Sequence, residues 1–224
     1  MRKAIPLILL TTCPLAAQVA ADANRHYNNE KSRAVMVETL SDPERLTRLQ
    51  GERIIASLSL QPGMVVADIG TGAGVMLPLF SKAVGPSGKV ISQDIFPDFL
   101  ETARRNARKQ GLANVEFVLG TEKDTRLPPG CCDLAVTIDS YHHFDYPPEM
   151  LASIARGLKP GGRLVIVDYY KRPGAMGPRT DAVEHVRLDM DDVIKEVEAN
   201  GFQLIEAREH VPRSQWIGFF KPRR

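Results

Sequence analysis

The sequence predicts an α/β domain with a doubly wound, mostly parallel sheet of seven strands, closed by an antiparallel C-terminal hairpin. Three observations predict it. From Met64 onward, short apolar runs alternate with helical stretches, and a βαβα order requires right-handed crossovers with helices on both faces of a parallel sheet. The first run, Val65-Val66-Ala67-Asp68-Ile69, is continuously apolar apart from its acid and ends in Gly70, Gly72 and Gly74. A strand buried on both faces reads this way, and the loop after it is where such a sheet opens to a ligand. The last two runs, Phe202–Glu206 and Trp216–Phe220, are joined by a short loop, which makes them an antiparallel pair.

Each element has a local reason. Asn24 to Thr39 is polar and reads as irregular, whereas Ser41-Asp42-Pro43-Glu44 supplies a cap, a first-turn proline and acids at the positive helix end. A helix is expected from about 42 to 58, with Leu46, Leu49, Ile54, Ile55 and Leu58 on one face, until Gln61-Pro62-Gly63 breaks it. The first strand follows, to Ile69, then a helix from Val75 to Val84 and a second strand from Val90 to Gln93. The next helix runs from Pro97 to Gln110 and closes on Gly111. Its Arg104, Arg105, Arg108 and Lys109 lie opposite Phe99, Leu100, Ala103 and Ala107, so these charges read as a solvated face. Strands are expected at Val115–Leu119, Leu134–Ile138 and Leu164–Val167, and a last helix from about Met190 to Asn200, stopped by Gly201. Leu158-Lys159-Pro160-Gly161-Gly162 is a sharp helix exit before the fifth strand, with breakers where the chain must turn.

Composition narrows the function. The 224 residues, 43% hydrophobic and 25% charged, suit one globular domain with a modest extension. A net charge of +2 is too weak a bias to argue for nucleic acid or an anionic membrane. Met1-Arg2-Lys3, the apolar run Ala4–Leu10 and Ala16-Ala17 form an export signal, with no acid before Asp22. This reading makes 1–21 a signal peptide, cut after Ala17 or Ala21, and 22–224 the domain. Cleavage implies a periplasmic or secreted protein; retention implies a cytoplasmic one. The apolar run is too short for a permanent span, which takes about 20 residues. Cys13 is a weak lipidation candidate, because Thr12 stands before it. Cys131 and Cys132 are adjacent and read as structural thiols, and without a Cys-x-x-Cys pair a zinc knuckle or redox motif has no support.

The glycine spacing excludes one ligand class. A dinucleotide fingerprint needs Gly-x-Gly-x-x-Gly to seat a pyrophosphate on a helix N-terminus, and Val75 stands where its third glycine would be. The observed Asp-x-Gly-x-Gly-x-Gly resembles the first motif of class I S-adenosylmethionine-dependent methyltransferases. Leu158-Lys159-Pro160-Gly161-Gly162 resembles a later motif of the same family. The resemblance implies a Rossmann-like fold with S-adenosyl-L-methionine as cofactor. It sets Asp68, Gly70, Thr71, Gly72 and Gly74 around the amino acid moiety, and Asp94 with Ile95 at the ribose. Thr121 replaces the acid after the third strand, so Glu122 or Asp124 would meet the adenine. Asp139, after the fourth strand, completes the cofactor set. The helix at 42–58 would act as a lid, with Arg45, Arg48 or Gln50 reaching the methionine carboxylate unless these residues only face solvent.

Asp139-Ser140-Tyr141-His142-His143-Phe144 resembles a segment of small bacterial methyltransferases of the ubiquinone-biosynthesis and phosphoethanolamine types. The catalytic candidates are therefore His142, His143 and Tyr141, since an imidazole with a reference pKa near 6.5 suits base work. The alternative is a histidine that packs against the cofactor and holds the loop. A divalent metal has two candidate sets. Asp139 and Asp168 stand at strand ends as in catechol-type enzymes, although Tyr169 replaces the usual third ligand; His142, His143 or His185 would instead favour a transition metal. The implied reaction is methyl transfer to an O, N or S atom of a small-molecule acceptor, capped by the segments 24–40 and 169–189. The breaker-rich loop 171–178 is expected to be mobile. The rival reading is an exported metal-binding or nucleoside-binding protein that keeps the fold without transfer.

Overall fold

The computed structural model describes residues 18–178 and 180–223. Most of the expected signal peptide, with Cys13, lies outside the described residues.

Seven strands form one sheet: β1 (Val65–Ile69), β2 (Lys89–Asp94), β3 (Val115–Leu119), β4 (Cys132–Ile138), β5 (Leu158–Tyr169), β6 (Phe202–Val211) and β7 (Gln215–Pro222). Their spatial order is β3-β2-β1-β4-β5-β7-β6. β1 pairs in parallel with β2 on one side and β4 on the other, and β7 runs antiparallel to both β5 and β6. Strand order reverses between β1 and β4. Sheets of this kind open a crevice for ligands at that point, outside the carboxyl ends of the strands.

The helices are α1 (Ala21–Asn24), α2 (Glu30–Leu40), α3 (Arg45–Arg48), α4 (Gly51–Leu58), α5 (Leu77–Val84), α6 (Pro97–Lys109), α7 (Pro147–Gly157), α8 (Ala182–His185) and α9 (Met190–Ala199). The period of two along each strand divides the core. Val66, Val165 and Val167 face one layer with Ile54 and Leu58 of α4 and Leu77, Phe80 and Val84 of α5. Ala67, Leu164 and Ile166 face the other, with Leu151 and Ile154 of α7 and Val193 and Val197 of α9. Burying a side chain of this size contributes about 1.5–3 kcal/mol. Arg105, Arg108 and Lys109 are exposed on α6, as the solvated-face reading expected.

Four expectations are corrected. The segment 24–39 is not irregular: Asn29 accepts the N–H of Ser32 and starts α2, while α1 and a 3-10 turn, Arg25–Tyr27, precede it. The 42–58 helix breaks into α3 and α4, with Gln50 in the left-handed region at φ 49°. Tertiary contact overrides propensity there, because His210 Nε2 lies 2.8 Å from the Leu49 carbonyl oxygen and a Cβ on Gly51 would sit 2.6 Å from Leu46. The fifth strand starts early, at Leu158, and absorbs the Pro-Gly-Gly turn through a bulge opposite Cys132 and Leu134. The loop after β5 is tied down: Lys171 N–H donates to Asp189, Lys171 Nζ to the Val186 carbonyl, and Ser214 Oγ to the Ala175 carbonyl.

Among the described residues, no helix is long and apolar enough to cross a membrane. Phe80 is fully buried between α5 and the sheet. Phe80→Ala should lower unfolding free energy by about 3–5 kcal/mol in urea titrations, the usual result of emptying an aromatic core position.

Candidate active site

The carboxyl ends of β1, β2 and β4 open into a cavity of about 440 Å³, within the range of small-molecule sites. Its floor is the loop Gly70–Ala73. The three glycines there do different work. Gly70 has φ 73°, and a Cβ on it would lie 1.9 Å from Ser140 Oγ, so the β1 and β4 loops cross with no room for a side chain. Gly72, at φ 55°, passes under Leu40 of α2. Gly74 does not border the cavity: its absent Cβ lets the loop pack on Ala103 of α6, so its expected contact with a cofactor is replaced by helix packing.

Asp94 ends β2 and fastens the floor. Its Oδ2 accepts the Gly72 N–H at 2.9 Å and its Oδ1 the Phe96 N–H at 3.0 Å. Burial outweighs these bonds and pushes the carboxyl pKa up to about 6. Asp68 is also buried, its pKa pushed up to about 7, and it accepts the Thr71 hydroxyl at 2.7 Å. Ile95 and Glu122 line the cavity. Asp124 does not; it is held by Ser153 and Arg156, which leaves Glu122 as the acid after β3. Asp139 takes Arg45 Nη2 at 3.1 Å and the Gln215 amide, and burial raises its pKa. Of the three lid candidates only Arg45 reaches the cavity, because Arg48 pairs with Asp42 and Gln50 with Arg53.

Five acids, Asp68, Asp94, Glu122, Asp139 and Asp145, line the cavity against two guanidinium groups, Arg33 and Arg45. Arg33 is already paired with Asp98 at 2.7 Å. That balance suits a cationic ligand and repels a polyphosphate.

The N-terminal segment forms the roof, a role the sequence did not foretell for these particular residues. Gln18, Ala21, Asn24, Tyr27, Arg33 and Leu40 all border the cavity. Tyr27 stacks on Phe96, centroids 5.7 Å apart, and meets the edge of His143 at 5.0 Å. Asn24 donates to the His143 carbonyl and to Asp145 Oδ2, each at 3.0 Å. The one local signal was the Asn29 cap, which could have marked α2.

Beyond β4 a 3-10 turn, Tyr141–His143, sends its side chains in different directions. His142 is buried; its Nδ1 lies 2.6 Å from Asp168 Oδ1, and its backbone N–H donates to Oδ2. His143 borders the cavity with its Nδ1 2.8 Å from Asn24 Oδ1. His185 of α8 completes a cluster, its ring centroid 5.1 Å from that of His142 and 5.2 Å from that of His143. Burial, which disfavours the charged ring, holds His143 well below the usual imidazole pKa and His185 at about 4. Tyr141 departs from its expected catalytic place: its ring is buried in the core and its hydroxyl donates to Glu196 at 2.7 Å. Asp139 and Asp168 do not share an ion either, because Arg45 and Gln215 hold the first and His142 the second.

A family model described as a methyltransferase domain matches residues 60–213. The solved structure of an S-adenosylmethionine-dependent methyltransferase from Aquifex aeolicus is similar at 30% identity and TM-score 0.76, over 83% of this chain and 96% of that one. The ubiquinone/menaquinone biosynthesis C-methyltransferase UbiE of Ectopseudomonas mendocina is 32% identical over 130 residues, 58% of this chain and 50% of that protein. An uncharacterised 37.1 kDa protein in transposon TN4556 of Streptomyces fradiae is 39% identical over 113 residues, 50% of this chain and 32% of that protein. The chain thus spans half or less of the length of these curated relatives. By matched domain, fold and site, the chain belongs to the class I S-adenosylmethionine-dependent methyltransferases.

Proposed function

We propose that this methyltransferase moves the methyl group of S-adenosylmethionine to an O, N or S atom of a small, largely apolar acceptor held under the N-terminal roof. One observation carries the reading: a single cavity runs from the Gly72–Asp94 junction to His143, and Tyr27 and Asn24 close it. The cofactor fits the residues present. Its sulfonium cation meets a lining rich in carboxylates, and its lack of phosphate matches the shortage of free guanidinium groups. When bound it supplies an activated methyl on sulfur with a neutral thioether as leaving group.

The chain's own residues bind, orient and exclude water. Each Asp94 oxygen has spent one acceptor position on the backbone, and the remaining lone pairs would take the two ribose hydroxyls in charge-assisted bonds. Asp68, Thr71 and Asp139, with Gly70 and Gly72, would receive the amino acid moiety, with Arg45 beside its carboxylate, and Ile95 and Glu122 the adenosine. Tyr27, Phe96, Phe144 and Met150 leave an apolar, ring-lined space for the acceptor. Alignment of nucleophile, methyl and sulfur does most of the catalysis. The acceptor's proton is lost at the histidine end, where His143 borders the cavity and Asp168 fixes the ring of the neighbouring His142. The UbiE relative is a C-methyltransferase by name, which makes carbon the rival acceptor atom; analysis of labelled product decides between them.

We also place leader cleavage after Ala17 and the mature protein outside the cytoplasm. Gln18 borders the cavity, and the N–H groups of Val19 and Ala20 are held by the Asp145 backbone carbonyl and carboxylate. A cut after Ala21 would remove these contacts. N-terminal sequencing of the mature chain should read Gln18; an intact Met1 or a start at Asp22 refutes this assignment.

Two measurements check the site. Calorimetry should show Asp94→Ala weakening S-adenosylmethionine binding at least about tenfold, which is 1.4 kcal/mol. In the wild type the affinity should fall about tenfold from pH 7.5 to pH 5, because protonation of a carboxyl titrating near 6 removes an acceptor of hydroxyl bonds. The pH profile of Asp94→Asn should be flatter. Asp168→Asn should lower kcat by about 10²–10⁴ with unchanged cofactor affinity, as loss of proton handling does.

A further inference from the structure

We propose that His142, His143 and His185 form a binding site for one borderline divalent transition metal of the zinc class, with its open position facing the acceptor. One ring nitrogen from each lies within 4.8 Å of the other two. The inference rests on the transferase reading for its purpose, but not for its geometry.

Hydrogen bonding sets the tautomers. The Asn24 amide nitrogen donates to two acceptors, the His143 carbonyl and Asp145 Oδ2. Its Oδ1 is thereby turned to His143 Nδ1, 2.8 Å away, and an oxygen there requires that Nδ1 carry the hydrogen. In His142 the same demand comes from the Asp168 carboxylate, 2.6 Å from Nδ1. In the neutral form of each ring, the form that binds a metal, Nε2 is then the bare lone pair. His142 Nε2 is buried with no hydrogen-bond partner among the described residues, on a side chain 3% exposed. Buried acceptors without partners are rare and destabilising, and the ring centroids of His142 and His143 are only 4.1 Å apart. A cation between the rings satisfies these lone pairs together.

The donor set selects the metal. Neutral imidazoles suit zinc, cobalt, nickel, copper or iron, whereas magnesium and calcium want oxygen. Three histidines with an open fourth position are a catalytic zinc arrangement. Tetrahedral bonds of about 2.0–2.1 Å put the ligand nitrogens about 3.4 Å apart, so the rings must close slightly from their present separation. Asp168 and Asn24 supply the outer hydrogen bonds that orient metal-ligating imidazoles. Because Asn24 belongs to the roof, metal binding would also hold the N-terminal segment over the cavity.

The bound ion would lower the pKa of an acceptor hydroxyl or thiol in its open position, and that proton passes to solvent. The new bond joins the acceptor atom to the methyl carbon. The S–CH₃ bond breaks, and its electron pair stays on sulfur.

The test is calorimetric titration of the full, chelator-treated protein with zinc chloride, together with the visible spectrum after cobalt(II) substitution. Expected are one equivalent of zinc per chain, a tetrahedral cobalt band, and at least about tenfold weaker zinc binding in His185→Ala and Asp168→Asn. Undetectable zinc binding by the wild type, or unchanged affinity in His185→Ala, overturns the proposal. The cobalt band of the unmutated protein decides the matter where a variant fails to fold. Asp94→Ala separates the two readings: it should lose cofactor affinity and keep its zinc. Zinc binding without methyl transfer to any acceptor would leave the site standing and refute the transferase reading. Unchanged kcat in metal-free enzyme would refute the proposed role toward the acceptor.

Discussion

The pairing of the Asp94 carboxylate with the N–H of Gly72 joins the ends of β1 and β2, next to the β1–β4 boundary at which strand order reverses. The cavity floor depends on it. Gly70 and Thr71 donate their N–H groups to the Gln93 carbonyl, so three successive residues of the glycine loop are bound to the end of β2. A loop held in this way cannot relax outward, and its left-handed glycines leave backbone rather than side chains facing the ligand. The same carboxylate is raised in pKa by its burial, which its two backbone hydrogen bonds only partly offset.

Above this floor the protein places most of its buried polarity on one side. Asp139 sits in the left-handed region at φ 51°, an unusual conformation for a non-glycine residue, and is held there by Arg45 and Gln215. Asp168 binds three hydrogens or ring nitrogens in its vicinity, from His142 and from the Tyr169 N–H. Groups this well buried are stable only as connected networks, since loss of one partner leaves another unsatisfied. The sheet provides the rigid frame, and the loops beyond β4 and β5 carry this buried network.

The roof is built differently. α2 has no buried residue, and the roof as a whole is held by polar and aromatic contacts: Arg33 of α2 to Asp98, Tyr27 of the 3-10 turn on Phe96, Asn24 of α1 on His143. Elements with little apolar burial open at lower free energy than a core. A cavity roofed by such a segment can admit and release ligands while α4 and α5 keep the sheet closed beneath it.

The succession of strands along the chain, their parallel or antiparallel sense, the glycine floor, the acid ending β2 and the histidine pair after β4 were legible from residues alone. They rest on short-range causes: period-two burial, breaker chemistry at turns, and acids or glycines at the ends of apolar runs. The division of labour among candidates was not legible. Tyr141 turned to Glu196 while His143 turned to the cavity, Glu122 entered where Asp124 did not, Arg45 reached in where Arg48 paired outside, and Gly74 met a helix instead of the cavity. The stretch 24–40 was expected as a cap, but not the contacts that make it one, since Asn24 meets His143 across 119 residues of chain. Local sequence sets which elements form and where they end. Which neighbouring side chain faces the ligand is settled only when packing brings distant partners together, because hydrogen bonds and close contacts depend on separations in space that the spacing of residues does not contain.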